Sequence, residues 1–332
     1  MSEEQERIGQ LARAALGPFG LDPESEVALC NVSENHTYRV DEPASGRRFA
    51  LRVHRPTYRT VQQIESELAW MDALRRDEIV ETPTVVRAAD GRRVIAAEAP
   101  GVEPRNVVVF DWLGGVQPDL DSGDAAIGQF KALGAISARM HAHARAWPRP
   151  AGFARPRWDY EYSIGPLGHW GPWQDGLGIG PEERAQLDRL DATIAARLAA
   201  YGEDQARFGL VHADIRLANL LIDGDAVRVI DFDDSGFSWF MYDFATTVTF
   251  MEDHPRVPEL QAAWVEGYRS VAELEPAAEA ELDTFVMLRR LLCVAWVGSH
   301  HAFATEAAEL GGAYTAGTCA LAERYLSTHE LP

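Results

Sequence analysis

The sequence predicts an α+β fold in two parts. A small N-terminal antiparallel sheet with one helix spans residues 1–110, and a larger, mainly helical C-terminal part spans 116–332, joined at 111–115. Three observations predict it. Short β-prone runs separated by turn residues fill the chain as far as Phe110. One stretch of helical periodicity, Ile64 to Leu74, interrupts them. Beyond the joint Asp111-Trp112-Leu113-Gly114-Gly115, apolar residues recur mostly at helical spacing. A chain of 332 residues is long enough for two domains or one bilobal unit, and buries a large core without disulfide staples.

In order, residues 1–24 read as a short amphipathic helix ending near Gly17-Pro18. Val27–Cys30, Thr37–Val40 and Phe49–Val53 are three strands of a meander, separated by the turn-like Asn31–Asn35 and Asp41–Gly46. Ile64, Leu68, Met71 and Leu74 mark a helix that Thr82-Pro83 stops. Val85-Val86 and Val94–Ala96 around Asp90-Gly91 read as a hairpin, and Val107–Phe110 as a fifth strand. Phe130, Leu133, Ile136 and Met140 share one face of a helix. Residues 147–180 are rich in Pro, Gly and Trp, including Trp147, Trp158, Trp170 and Trp173, and read as a long irregular excursion. Helices resume over Pro181–Tyr201, around Leu260–Val271 and over Ala277–His300.

Asp and Glu number 51 against 31 Lys and Arg, a net charge of −20. That balance excludes a general binder of nucleic acid or anionic membrane, which needs a basic face, and is kinder to neutral or cationic ligands. Cys30, Cys293 and Cys319 show no CxxC spacing, so a reducing, cytoplasmic setting is expected. The acidic start Met1–Glu6 does not read as a signal peptide. The most apolar stretch, Thr284–Trp296, is broken by Arg289-Arg290 and is too short to span a bilayer.

The densest polar cluster lies at 208–235. An apolar strand, Gly209-Leu210-Val211, enters the polar loop His212-Ala213-Asp214-Ile215-Arg216. Leu220-Leu221-Ile222 leaves it, the turn Asp223-Gly224-Asp225 follows, and Val227–Ile230 ends in Asp231, Asp233 and Asp234. Asn219 stands five residues after Asp214, and Asp231 follows across a hairpin, so an amide oxygen and at least one carboxylate come together with another left for a substrate. An oxygen-rich site only partly built by protein suits Mg²⁺, which keeps waters and shares phosphate oxygens. HxDxxxxN followed by a hairpin and DxD is the arrangement that phosphoryl transfer from a nucleotide requires. Asp223 and Asp225 read as solvated turn residues, and Asp234 as either a helix cap or a site residue.

At these residues the chain resembles the aminoglycoside phosphotransferase and type II homoserine kinase superfamily, relatives of the protein kinases. The order of elements extends the resemblance over residues 20–320 and implies a bilobal protein-kinase-like fold. It implies Asp214 as the base for the acceptor hydroxyl, Asn219 and Asp231 as Mg²⁺ ligands, and Asp233 as a second or supporting ligand. Arg216 takes the place where protein kinases put a lysine on the γ-phosphate, with pairing to nearby acids as the rival role. His212 would brace the loop. Asp243 resembles the family's helix-cap acid, a structural role.

The resemblance also shows departures. No GxGxxG loop is present; the corresponding turn is Asn31–His36, with Ser33 and Asn35 as candidate phosphate contacts. Arg52 stands in the slot of the kinase lysine, where it keeps the charge and adds a fork. Strand alternation puts Leu51 and Val53 on one face and Arg52 and His54 on the other. Glu67 is the chosen partner for Arg52, with Glu65 the alternative. Backbone groups of Asp111, Trp112 and Leu113 would meet the base of ATP or GTP.

The acceptor would lie between Asp214 and the Trp-rich excursion, where Trp158, Asp159, Tyr160, Glu161 and Tyr162 form an aromatic and acidic run. That points to a cationic hydroxyl compound, an amino alcohol, amino sugar or amino acid; the tryptophans as anchors of the loop are the competing role. Three activities follow: a small-molecule kinase, a Ser/Thr protein kinase of the stress-response type, and a nucleotide-binding pseudokinase. Asp231 is followed within a few residues by Trp239-Phe240, with no recognisable activation segment. His141, His143, His300 and His301 lack a third ligand at zinc spacing.

Overall fold

In the computed structural model, residues 3–120, 122–224 and 226–329 are described; Met1, Ser2 and the predicted turn residue Asp225 lie outside them. The chain divides into two compact units. The first comprises residues 1–76, 82–114 and 149–154, and the second 77–81, 115–148 and 155–332. No described helix is long and apolar enough to cross a membrane.

The first unit begins with α1 (Glu3–Leu16), whose Ile8, Leu11, Ala12 and Ala15 are fully buried. Its strands are β1 (Glu26–Val32), β2 (Asn35–Glu42), β3 (Arg47–His54), β4 (Val85–Val86), β5 (Ile95–Ala99) and β6 (Val102–Asp111). They form one antiparallel sheet in the order β1-β2-β3-β6-β4, with β5 also on β6. The first turn is tighter than the sequence implies: β1 runs through Val32 and β2 starts at Asn35, leaving Ser33-Glu34 between them. The expected hairpin of 85–96 is corrected. β4 pairs with Val109 and Phe110 and β5 with the earlier part of β6, so neither short strand pairs with the other. The Asp90-Gly91 turn forms, with Gly91 in left-handed backbone (φ 86°).

Alternation along β3 sets the two faces of the sheet. Leu51 and Val53 join Phe49, Val107 and Val109 in the core under α1. Arg52 faces the other way, toward α2 (Val61–Arg76), whose Ile64, Leu68, Met71 and Leu74 are buried.

The second unit is mostly helical. Its main helices are α3 (Asp124–Ala146), α4 (Tyr160–Ser163), α5 (Pro181–Tyr201), α6 (Tyr242–Thr247), α7 (Val257–Arg269), α8 (Pro276–Glu279), α9 (Leu282–His300) and α10 (Thr305–His329). The predicted helix over 277–300 is therefore two pieces, α8 and α9. α10 bends at Gly311 (φ 50°). Helix α9 is buried on every side, arginines included, which is why its sequence is nearly uniformly apolar. α3 and α7 cross at Gly134 and Gly267, each against the other helix's backbone. Two small antiparallel two-stranded sheets carry the polar loops: β7 (Phe208–Val211) pairs with β10 (Gly236–Trp239), and β8 (Leu220–Asp223) forms a hairpin with β9 (Ala226–Val229).

Candidate active site

The loop between β7 and β8 is held by a buried carboxylate. Asp243 Oδ1 accepts the Ala213 N–H at 2.8 Å, and Oδ2 accepts the His212 N–H at 3.2 Å. Thr246 Oγ1 accepts the Ile215 N–H at 3.0 Å. His141, from α3, bonds the same Asp243 Oδ2 at 2.9 Å and the Tyr268 hydroxyl at 3.2 Å. These bonds hold Ala213 in left-handed backbone (φ 65°), a conformation that costs an alanine about 1 kcal/mol or more and persists where surroundings over-determine it. Asp243 thus binds the loop backbone, and Met241 rather than Asp243 occupies the N-cap of α6, which corrects the helix-cap expectation.

His212 is fully buried. Its Nδ1 accepts the Asp214 N–H at 3.3 Å, so Nε2 carries the proton and donates to the Ile230 carbonyl at 3.1 Å. Burial pushes its pKa down, and the Asp243 and Asp214 charges only partly oppose this, so the ring is neutral. It is a brace between the loop and the β8–β9 hairpin.

Both oxygens of Asp214 are held. Arg289 Nη2, from α9, donates to Oδ1 at 2.6 Å, and Asn219 Nδ2 donates to Oδ2 at 2.8 Å. Asn219 Nδ2 also donates to the Asp214 carbonyl at 2.8 Å. Both amide protons point into the loop, which leaves Oδ1 as the acceptor end of the Asn219 side chain, an oxygen of the kind that could face a cation. The Ile230 N–H donates to the Asn219 carbonyl at 2.9 Å, so Asp231 follows directly on the residue that ties His212 and Asn219 together. Asp231 itself is exposed, in left-handed backbone (φ 59°). Asp233 is 5% exposed. Asp234 lies in the same short turn, Phe232–Asp234, and its carbonyl accepts the Trp158 indole N–H at 2.7 Å.

Arg216 lies beside Asp214, with Nε 3.8 Å from its Oδ2. Its Nη1 donates to both oxygens of Glu306, in the first turn of α10, at 2.8 and 3.0 Å. The pairing with an acid that sequence offered as its rival role is therefore present.

In the first unit Arg52 pairs with Glu67 at 2.6 Å, both side chains buried, and Arg52 lies over the Phe110 ring at 5.2 Å. Glu65 is engaged instead with Arg93. Asn35 Oδ1 accepts the Arg55 N–H at 3.2 Å, and the Ser33 carbonyl lies 3.4 Å from Arg55 Nη2, so both residues brace the β1–β2 turn. The joint is narrower than expected as a base contact. The Asp111 N–H donates to Thr84 and the Trp112 N–H to Arg48, leaving the Leu113 N–H as the donor without a protein partner among the described residues.

The tryptophan-rich excursion separates into two roles. Trp158 is buried against 234–237, and Tyr160 and Trp173 share Asp191 as acceptor, so these aromatics anchor the segment. Asp159 caps α4 and pairs with Arg157. The run 158–162 is thus structural at Trp158, Asp159 and Tyr160. Trp170 has a different setting, its ring lying 5.7 Å from the Arg289 guanidinium and 6.4 Å from Trp296.

Sequence reasoning missed two arginines. Arg155 donates to the backbone carbonyls of Phe232, Asp233 and Ser235 and so pins the aspartate turn. Arg289 holds the Asp214 carboxylate. Its signal was a charged pair inside the most apolar helix: Arg289 goes to Asp214, while Arg290 pairs with the buried Glu252.

Known proteins resemble the chain in sequence and in fold. The sequence model of the phosphotransferase enzyme family (APH) matches residues 30–282. Amicoumacin kinase of Bacillus subtilis is 26% identical over 174 residues, and the match spans about half of each protein, 49% of this chain and 48% of that one. Stress response kinase A of Salmonella paratyphi A is 25% identical over 285 residues, 85% of this chain and 80% of its own. A solved structure, a microcompartment-associated aminopropanol kinase, superposes with a TM-score of 0.88 at 46% identity, covering 97% of this chain and 99% of that one. With three quarters of its length matched by the family and the loop of Asp214 inside that stretch, the chain belongs to the phosphotransferase enzyme family and has its protein-kinase-like fold.

Proposed function

We propose that the protein transfers the γ-phosphate of ATP or GTP to the hydroxyl of a small cationic acceptor, of amino alcohol, amino sugar or amino acid type, with an amino alcohol favoured. The observation that carries the reading is the Asp214 carboxylate, fixed at both oxygens by Arg289 and Asn219 in a loop that follows HxDxxxxN. In this reading the acceptor hydroxyl attacks the γ-phosphorus, the bond to the bridging β,γ-oxygen breaks, and the hydroxyl proton passes to Asp214. Positioning supplies most of the effect, so the carboxylate needs no raised pKa. Arg216 would offset charge on the transferring phosphoryl group. Mg²⁺ held by Asn219 Oδ1 and Asp231, with Asp233 behind them, would screen the nucleotide's phosphates. Within the first unit, Arg52, oriented by Glu67, and the Leu113 N–H are the candidate nucleotide contacts.

The amino alcohol class is supported by the 46% identity to a protein described as an aminopropanol kinase, and by the net charge of −20. A protein acceptor is the second reading, favoured by the likeness to Salmonella stress response kinases. Against it, β10 starts at Gly236, immediately beyond the aspartate turn, and returns to β7, which leaves no long segment for docking a polypeptide.

The test is a screen of purified protein with Mg²⁺ and ATP or GTP against amino alcohols, amino sugars, amino acids, neutral diols and a general protein substrate. Turnover concentrated on amino alcohols is the expected result. Phosphorylation of the protein substrate alone, or of nothing, overturns the reading.

A further inference from the structure

The Asp214 loop faces a second carboxylate that the phosphoryl-transfer step does not use. Glu306 lies beyond residue 282, where the family match ends, so it belongs to the part of the chain that the shared machinery does not specify. Its side chain is 45% exposed, against 21% for the Arg216 it holds. One guanidinium separates it from the base: Arg216 Nη1 is 2.8 Å from Glu306, and Arg216 Nε is 3.8 Å from Asp214 Oδ2. The two carboxylates therefore stand at most about 9 Å apart, from ordinary guanidinium dimensions. A hydroxyl and an ammonium two carbons apart, hydrogen-bonded at both ends, span roughly the same distance.

Aromatic rings connect the two arginines that flank Asp214. Arg289 lies over Trp170, Trp170 meets Trp296 at 6.4 Å, Trp296 meets Phe250 at 5.6 Å, and Arg216 lies over Phe250 at 5.4 Å. The face beside the base thus combines apolar rings, one phosphate-competent cation and one carboxylate that the base role does not need. Two arginines and two carboxylates balance there. An incoming phosphate and an incoming ammonium would rebalance it by exchange, the phosphate drawing Arg216 and the ammonium replacing Arg216 on Glu306.

We propose that Glu306 is the specificity-determining residue for a cationic acceptor, binding the ammonium group as Arg216 passes from Glu306 to the γ-phosphate. The proposal rests on the amino alcohol reading above. It carries a linkage consequence. Because nucleotide and amine release each other's partner from the Arg216–Glu306 pair, each raises affinity for the other by the same factor.

The experiment compares wild type, Glu306→Gln and Glu306→Asp with 1-amino-2-propanol and with its neutral isostere 1,2-propanediol. Steady-state kinetics are measured, together with calorimetric binding of each compound with and without Mg²⁺ and a non-hydrolysable ATP analogue. In Glu306→Gln the KM for the amine should rise about 30-fold or more, as expected for loss of a charged hydrogen bond. The KM values for the diol and for ATP should stay within about threefold, and Glu306→Asp should recover part of the amine affinity. Nucleotide should strengthen amine binding to the wild type and not to Glu306→Gln. Equal losses on amine and diol would show that Glu306 only positions Arg216, and would overturn the proposal. Wild-type protein that binds the amine through Glu306 but phosphorylates no amino alcohol would sink the functional reading and leave Glu306 standing. Wild-type protein that binds no amine overturns both.

Discussion

Arg289 Nη2 donates to Asp214 Oδ1 at 2.6 Å, joining the middle of the most buried helix to the loop between β7 and β8. The same guanidinium bonds Thr249 Oγ1 at 3.2 Å and the Tyr242 hydroxyl at 3.3 Å, so its position is set by three elements. A carboxylate gripped at one oxygen by Arg289 and at the other by Asn219 has a fixed rotamer, which in-line attack requires. Arg289→Met should lower kcat by about 10²-fold while the KM for nucleotide stays within threefold. Arg289→Lys, which keeps charge without the fork, should recover part of the rate. Loss of nucleotide affinity in step with kcat would show a merely structural role.

The Arg52–Glu67 pair leads to a different expectation. Both side chains are almost wholly buried, at 6% and 0% exposure. Removing one partner strands the other charge, a loss of about 3 kcal/mol or more. Glu67→Gln should therefore lower the unfolding free energy by that order in denaturant titrations. It should also raise the KM for nucleotide more than tenfold, because Arg52 then lacks its orienting acid. Unchanged stability would contradict the buried pair.

His36 makes the first unit sensitive to acid. It sits on β2 opposite Val32 and Val53, and burial, helped by Arg105, pushes its pKa from 6.5 down to about 4. The folded ring stays neutral while the unfolded ring takes a proton between those values. This contribution is complete above pH 6.5 and is lost as pH falls toward 4. It amounts to about 3 kcal/mol. His36→Leu should flatten that part of the pH dependence. Parallel loss in wild type and variant between pH 7 and 4.5, by denaturant midpoint, would contradict the assignment.

The α3–α7 crossing tolerates no side chain. A Cβ at Gly267 would overlap the Lys131 carbonyl oxygen, and one at Gly134 the Trp264 carbonyl oxygen. Both obstacles are backbone and cannot swing aside. Gly267→Ala should destabilise by about 2–3 kcal/mol or prevent folding, read by thermal melting. Gly171→Ala offers the contrast in space, since no atom lies within 4 Å of its Cβ position, although its φ of 84° carries a backbone cost.

How much of this is legible in sequence follows from where the contacts lie along the chain. His212, Asp214 and Asn219 are close in sequence and meet through local hydrogen bonds, so spacing alone assembles that group, and the short β8–β9 hairpin returns to it at Ile230. The Arg52–Glu67 pair is legible because strand alternation and helix phase each fix one end. Arg289 and Glu306 reach the loop from 75 and 90 residues away, and no local pattern encodes that. A buried arginine in an apolar helix is a visible demand for a partner, but its partner is set by packing. The β4–β5 misreading has the same origin: two short strands around a good turn pair as neighbours by local rules, yet β6 is long enough to take both. Trp158 and Trp170 look alike in sequence, and only tertiary contacts make one an anchor and bring the other to Arg289.

The most direct test of the central claim is Asp214→Asn, which keeps the shape of the side chain and the hydrogen bond from Asn219 within reach while removing the charge and the proton acceptor. Turnover should fall by at least about 10³-fold, with Mg-nucleotide affinity by calorimetry within a few-fold of wild type. A variant that phosphorylates its acceptor at the wild-type rate would contradict the account.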